Sequence, residues 1–325
     1  HDAAPINSLA FHPSDNRLLA LGGNRDGIVF LIDTVTHDIE RLEPVDKQGN
    51  KNNRVHSLAF SPDGQLLAVG GECIPVTVWN VSERKPSTTL LDEEWKVVKE
   101  FAKDGSKSLR IVSPSVAFSA DGSRLAVSWY HAAAGNEFLY YPNSLTVFDL
   151  GQNAENPARL TDIPSDDGPF RHVVFDHQDD ILFVARSGRF ASWDLKKERP
   201  TRGEPAAHSA RIQSLAFSRD GLLFASGDFY GFIRIWDART GALRHTLRKH
   251  WGRIESLQFS ADSSRLFATG FRDRMITAWD VSTGQLIESL DFEQPIFGFD
   301  LTPDRKTLLA GGWYNKFFAY DPETL

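Results

Sequence analysis

One pattern recurs seven times along the 325 residues: a small residue, an apolar run ending in Phe or Leu, a turn rich in Asp and Gly, then a second apolar run. The copies are SLAFHPSDNRLLALGG from Ser8, SLAFSPDGQLLAVGG from Ser57, SVAFSADGSRLAVS from Ser115, HVVFDHQDDILFVA from His172, SLAFSRDGLLFASG from Ser214, SLQFSADSSRLFATG from Ser256 and GFDLTPDRKTLLAGG from Gly298. The anchors Phe11, Phe60, Phe118, Phe175, Phe217, Phe259 and Leu301 stand 49, 58, 57, 42, 42 and 42 residues apart. A second landmark closes each copy: Ile32-Asp33, Trp79-Asn80, Phe148-Asp149, Trp193-Asp194, Trp236-Asp237, Trp279-Asp280 and Tyr320-Asp321. A regular period of this kind constrains the fold more than any single motif.

Each copy reads as strands. In the fifth, Ser214–Phe217 alternates, Arg219-Asp220-Gly221 supplies turn chemistry, and Leu222–Ser226 runs apolar. Gly231 then opens the β-branched and aromatic run Phe232–Trp236, and a weaker fourth strand falls near Leu243–Leu247. Helical periodicity is confined to Glu93–Lys103. Four strands make one antiparallel sheet, which cannot bury both faces alone. Stacking seven such sheets around an axis covers each with its neighbours. The expected fold is all-β, a ring of seven four-stranded antiparallel sheets.

These copies resemble the WD-repeat family of β-propellers. In the sixth copy His250 lies nine residues before Phe259, Thr269 sits in the second strand, Asp273 in the next turn and Trp279 in the third. The resemblance implies that His250, Thr269, Asp273 and Trp279 form a buried hydrogen-bonded chain, because a buried imidazole and indole N–H need partners. The fifth copy has His208, Ser226 and Trp236, with Tyr230 where the Asp is expected. The first keeps Asp26 without the His or Trp. Other propellers share the FSPDG turn. The Trp-Asp endings and the His nine residues before the Phe favour the WD-repeat type. The resemblance covers the whole chain and implies one domain over residues 1–325, belonging to a longer parent protein.

Two stretches depart from the period: a charged insertion near residues 92–114, and HAAAGNEFLYYP at 131–142. Both could carry function, as loops on a rigid scaffold often do. The seventh copy has three strands in this register. We expect a three-stranded last blade, with the fourth strand lying upstream in the parent protein.

The chain has 36 Lys and Arg against 43 Asp and Glu, a net charge of −7, which argues against a nucleic-acid partner. The single Cys73 excludes an internal disulfide, and no membrane helix or signal peptide is legible. We therefore expect a cytoplasmic chain with no membrane partner. No G-x-S-x-G, P-loop, H-E-x-x-H or C-x-x-C pattern occurs. His172 and His177 are five apart, and the Asp-rich turns lack a calcium-loop ladder. The expectation is no catalytic residue, no metal and no cofactor.

The resemblance also sorts residues by face. Loops before each first strand, and between the second and third strands, gather at one mouth of the axial channel. They carry Arg25, Arg54, Trp129, Tyr130, Arg211, Phe229, Tyr230, Trp251, Arg253, Phe271, Arg272, Trp313 and Tyr314. Arg54, Arg211 and Arg253 share one column, three residues before the Ser. Aromatic and Arg side chains dominate interface energetics, so this set is the candidate partner-binding surface. The expected function is a non-catalytic scaffold holding a protein or peptide, an acidic one suiting the Arg column. Two other classes stay open. One is a sensory or regulatory domain of a larger signalling protein, contacting other domains of its own chain. The other is a small-molecule-binding or enzymatic propeller with a channel site.

Overall fold

The computed structural model describes residues 5–23, 27–43, 53–72, 74–91, 94, 109–133, 143–151, 156–165, 170–176, 181–186, 188–201, 207–304, 306–312 and 317–322. Among them are 27 strands, each consecutive set folding as an antiparallel meander. Four-stranded sheets span 6–42, 172–200, 212–248 and 254–291, and a three-stranded sheet spans 296–320. An eight-stranded sheet covers 54–165. It consists of two four-stranded meanders, 54–90 and 109–165, bridged by the single pairing of Glu72 with Val112. The last sheet, Ile296–Leu301, Leu308–Gly312 and Phe317–Tyr320, has no fourth strand among the described residues.

The local chemistry repeats with the sequence. After Phe217 the Ser218 hydroxyl donates to Asp220 Oδ1 at 2.6 Å and accepts from Leu223 N at 2.9 Å. Gly221 takes φ +69°, which a side chain would resist. The same Ser/Thr–Asp clasp closes the turns at Ser61–Asp63, Ser119–Asp121, Ser260–Asp262 and Thr302–Asp304, each at 2.6 Å. It satisfies the turn backbone from within, so neighbouring sheets can pack closely above it.

The core lies between meanders rather than inside them. Phe183, Ala185 and Phe190 of one sheet pack on Ile212, Leu215, Phe224 and Trp236 of the next. Ala225, Ile233, Ile235 and Leu247 in turn meet Ile254, Leu257, Leu266 and Trp279. The column Ser adds polar ties across three junctions: Leu58 N to Ser8 Oγ (3.1 Å), Val116 N to Ser57 Oγ (3.1 Å) and Val173 N to Ser115 Oγ (3.2 Å). The seam joins the first meander to the last. Ile6, Leu9, Phe11, Leu19 and Leu21 cluster with Leu309. Asp300 Oδ2 accepts from Phe11 N at 2.9 Å, and Asn16 Oδ1 accepts from Asp304 N at 3.1 Å.

The first insertion is partly strand. Leu109–Phe118 extends the first strand of its meander, and its early part pairs with 130–133 of Arg124–Ala133. The first insertion therefore ends, and the second begins, as a lengthened strand. The helical expectation at Glu93–Lys103 lies outside the described residues apart from Glu94, which pairs with Arg159 at 2.7 Å.

Candidate interaction face

Two buried polar chains hold the loops that frame this face. In the sixth meander His250 Nδ1 lies 2.9 Å from Asp273 Oδ2, and His250 Nε2 lies 2.9 Å from Thr277 Oγ1. Trp279 Nε1 donates to the same Thr277 Oγ1 at 2.8 Å. The sequence assignment of Thr269 is corrected: its buried hydroxyl has no hydrogen-bond partner among the described residues. Thr277 stands two residues before Trp279 on one strand, so both side chains leave the same side of the sheet. The fifth meander holds an equivalent set that sequence reading had called incomplete. His208 Nδ1 meets Asp228 Oδ2 at 3.0 Å, His208 Nε2 meets Ser226 Oγ at 2.7 Å, and Trp236 Nε1 donates to Ser226 Oγ at 2.8 Å. Asp228, two residues before Tyr230, supplies the carboxylate.

With the loops fixed, the aromatic and cationic residues fall into register. Phe229 N donates to Arg211 O and Phe271 N to Arg253 O, both at 2.9 Å. These matching bonds set each Arg over its aromatic partner. The Arg211 guanidinium lies 5.8 Å from the Phe229 ring centre, and that of Arg253 lies 4.3 Å from Phe271. Phe229 meets Tyr230 edge-on at 5.7 Å, and Phe271 meets Phe297 at 5.2 Å. Gly231 lets this loop press on the next one, since a Cβ there would sit 2.4 Å from His250 O. Trp251 follows, its N donating to Asp273 Oδ2 at 3.0 Å while 66% of the residue stays exposed. Tyr230 is 60% exposed, and Arg272 is exposed beside Gly252. The patch thus runs continuously over three neighbouring sheets.

Other members of the expected set fall elsewhere. Trp129 is corrected to a core residue: it is 5% exposed and its Nε1 donates to Thr146 Oγ1 at 2.9 Å. The lengthened strand keeps it inside the sheet, paired with Ser144. Tyr130 is half-buried, 6.0 Å from the Arg171 guanidinium. Arg54 is exposed and 3.8 Å from Glu72. Arg25, Trp313, Tyr314 and the first-copy Asp26 lie outside the described residues. Sequence reading missed Phe297 and Glu255. Glu255 pairs with Arg253 Nε, while burial pushes its carboxyl above the usual range. The residue just before the Ser column was the available signal for both.

Four segments of the chain, 1–33, 43–73, 202–237 and 241–280, match the family described as WD domain, G-beta repeat. The chain carries WD repeats. The matched segments fall on the first, second, fifth and sixth meanders. Among curated proteins, the WD-repeat chain is 25% identical over 289 residues to a periodic tryptophan protein 2 homolog of Dictyostelium discoideum, covering 82% of this chain and 28% of that protein. It is 25% identical over 280 residues to human echinoderm microtubule-associated protein-like 2, covering 85% of this chain and 35% of that one. A shorter match to mouse WD repeat-containing protein 90 reaches 34% over 113 residues, 32% of this chain and 6% of that protein. The chain thus spans less than half the length of each of these relatives. WD-repeat proteins generally mediate protein–protein interactions and are typically non-catalytic. No helix among the described residues is long and apolar enough to cross a membrane.

Proposed function

We propose that this WD-repeat chain is a non-catalytic interaction domain that grips an acidic protein or peptide segment. The grip lies on the face formed by Phe229, Tyr230, Trp251, Phe271 and Arg272, with Arg211 and Arg253 behind the aromatics. The carrying observation is the continuity of that patch: exposed Phe229, Tyr230 and Trp251, with guanidinium groups over Phe229 and Phe271, on loops fixed by buried His–Asp pairs. Rings held this way lose little entropy on binding, and Arg272 offers a bidentate donor to a carboxylate. We further propose that the seven meanders are seven blades of a single domain, the three-stranded sheet being the seventh. A cytoplasmic setting suits a chain with one cysteine in 325 residues.

The test places a photo-crosslinking phenylalanine analogue at Tyr230, and separately at the exposed Ile39 on a fourth strand, in the source cells. The expected result is a product specific to position 230, lost with Trp251→Ala or Arg272→Ala and weakened by salt. Products shared by both positions, or unaffected by those variants, would defeat the reading.

A further inference from the structure

The flank of the fifth meander carries a separate feature. Residues 186–253 hold 14 Lys and Arg against 6 Asp and Glu, the reverse of the balance over the whole chain. Within that stretch two guanidiniums share one face of one sheet. Phe232–Asp237 and Leu243–Arg248 are its third and fourth strands. Phe232 pairs with Arg248, and Arg234 with Thr246. The Arg248 guanidinium lies 4.5 Å from the Phe232 ring centre, so both side chains stand on the same face. Arg234, two residues along from Phe232, stands there too. Trp236 comes next, and its ring centre lies 5.2 Å from that of Phe190, which turns this face toward the fourth meander.

Neither cation is matched by an anion. Arg234 Nε is buried with no hydrogen-bond partner, and neither Arg234 nor Arg248 has a carboxylate within ion-pair distance among the described residues. The carboxylates of the adjoining strand ends are engaged: Asp237 with Arg244 at 2.7 Å, and Asp194 of the fourth meander with Lys197 at 2.8 Å. The fold does not require Arg234. The same position, two residues before the landmark aromatic, is Thr77, Thr146 and Thr277 in other copies. In the fifth, Ser226 takes the indole N–H instead, and the place is held by a cation.

We propose that Arg234 and Arg248 form a site for a phosphorylated side chain of a protein partner. Residues diagonal to each other on neighbouring strands have Cβ atoms roughly 7–8 Å apart, within the reach of two converging arginines. A phosphate monoester carries close to two negative charges and three acceptor oxygens. It balances both cations and supplies the acceptor that Arg234 Nε lacks, whereas one carboxylate leaves a cation over. Thr246, exposed beside both, adds a hydroxyl donor. The fourth strand is also the outer edge of its sheet. An extended segment can pair with that edge through its main chain and set its phosphate on the arginines. The open edge favours a peptide over a membrane headgroup. The site is separate from the face around Trp251 and does not rest on that reading.

The first arm of the test titrates inorganic phosphate into the full chain and follows the arginine Nε–H resonances by NMR. Those of Arg234 and Arg248 should shift together and saturate, while chloride at equal ionic strength leaves them in place. The second arm passes nine-residue peptide libraries with a fixed central phosphoserine, glutamate or serine over the immobilised chain. Retention of the phosphoserine library should exceed that of the serine library by about tenfold or more, as a charge-assisted pair implies, with glutamate between them. Arg234→Gln and the exposed Arg248→Gln should each remove the difference, their folding checked by circular dichroism. Trp251→Ala should leave it intact, which keeps this site distinguishable from the interaction face. Immobile arginine resonances, equal retention of the phosphoserine and serine libraries, or a difference that survives both arginine variants would overturn the proposal. So would binding of phosphoinositide vesicles through these arginines when the phosphoserine library is not retained.

Discussion

A buried indole N–H is costly to leave without an acceptor, and in three meanders a hydroxyl provides one: Thr146, Ser226 and Thr277. Thr277 serves Trp279 and His250 together, whereas Thr269 serves neither. Thr277→Val should therefore cost about 2–4 kcal/mol, because two buried groups lose their partner. Thr269→Val should be neutral or stabilising, since it removes an unmet hydroxyl. Urea unfolding of the two variants separates these outcomes. His172 offers a second residue-scale prediction. Burial holds its imidazole down at about 4, against an ordinary 6.5. The stability this confers is complete above pH 6.5 and is lost as pH falls toward 4, because the unfolded chain takes the proton first. His172→Gln should flatten that part of the pH–stability curve.

At the scale of elements, the Ser–Asp clasps act as a set. Asp262 is held at about 2, first by the Ser260 hydroxyl and then by Ser264. Asp280 is held at about 2 by Ser282 and by the Thr283 amide and hydroxyl. Both carboxyls are depressed, so their contribution is present above about pH 4 and fades as pH falls through 2. Acid unfolding monitored by circular dichroism should steepen in that window, and Ser260→Ala should shift its onset upward. These turns were legible from the sequence because Asp and Gly carry a local mechanism that needs no distant partner. The strands were legible because alternation and apolar runs report burial directly. Asp273 and Ser226 were legible as histidine partners, whereas Thr277 and Asp228 were not. Which of several nearby hydroxyls or carboxylates reaches a buried imidazole is set by side-chain geometry across strands, not by position in the repeat. Trp129 was misplaced for a related reason. Pairing of 130–133 with 109–112 carries the strand past the point where the repeat period ends it.

Over the whole molecule, the sequence specified the stacking, because apolar residues on both faces of every sheet demand a neighbour on each side. It did not reveal how the first and last sheets meet. That seam rests on Leu309 against the first meander and on the Asp300 carboxylate. Asp300→Ala should cost about 2 kcal/mol by stranding the Phe11 amide and the Gln258 side chain. Amide exchange should then rise selectively across Ile6–His12. Uniform loosening of all seven meanders would contradict a local seam.

Every other junction is crossed by the backbone as well as by packed side chains; among the described residues, the first and last sheets are joined by packed side chains and side-chain hydrogen bonds. Such a joint behaves like the interface of a small heterodimer. A single cut between the fourth and fifth meanders would create a second joint of the same kind. Two fragments, each unable to cover its own outer sheets, would then hold each other through two such interfaces. The chain is therefore a natural candidate for reconstitution from halves, with assembly reporting directly on the strength of the seam.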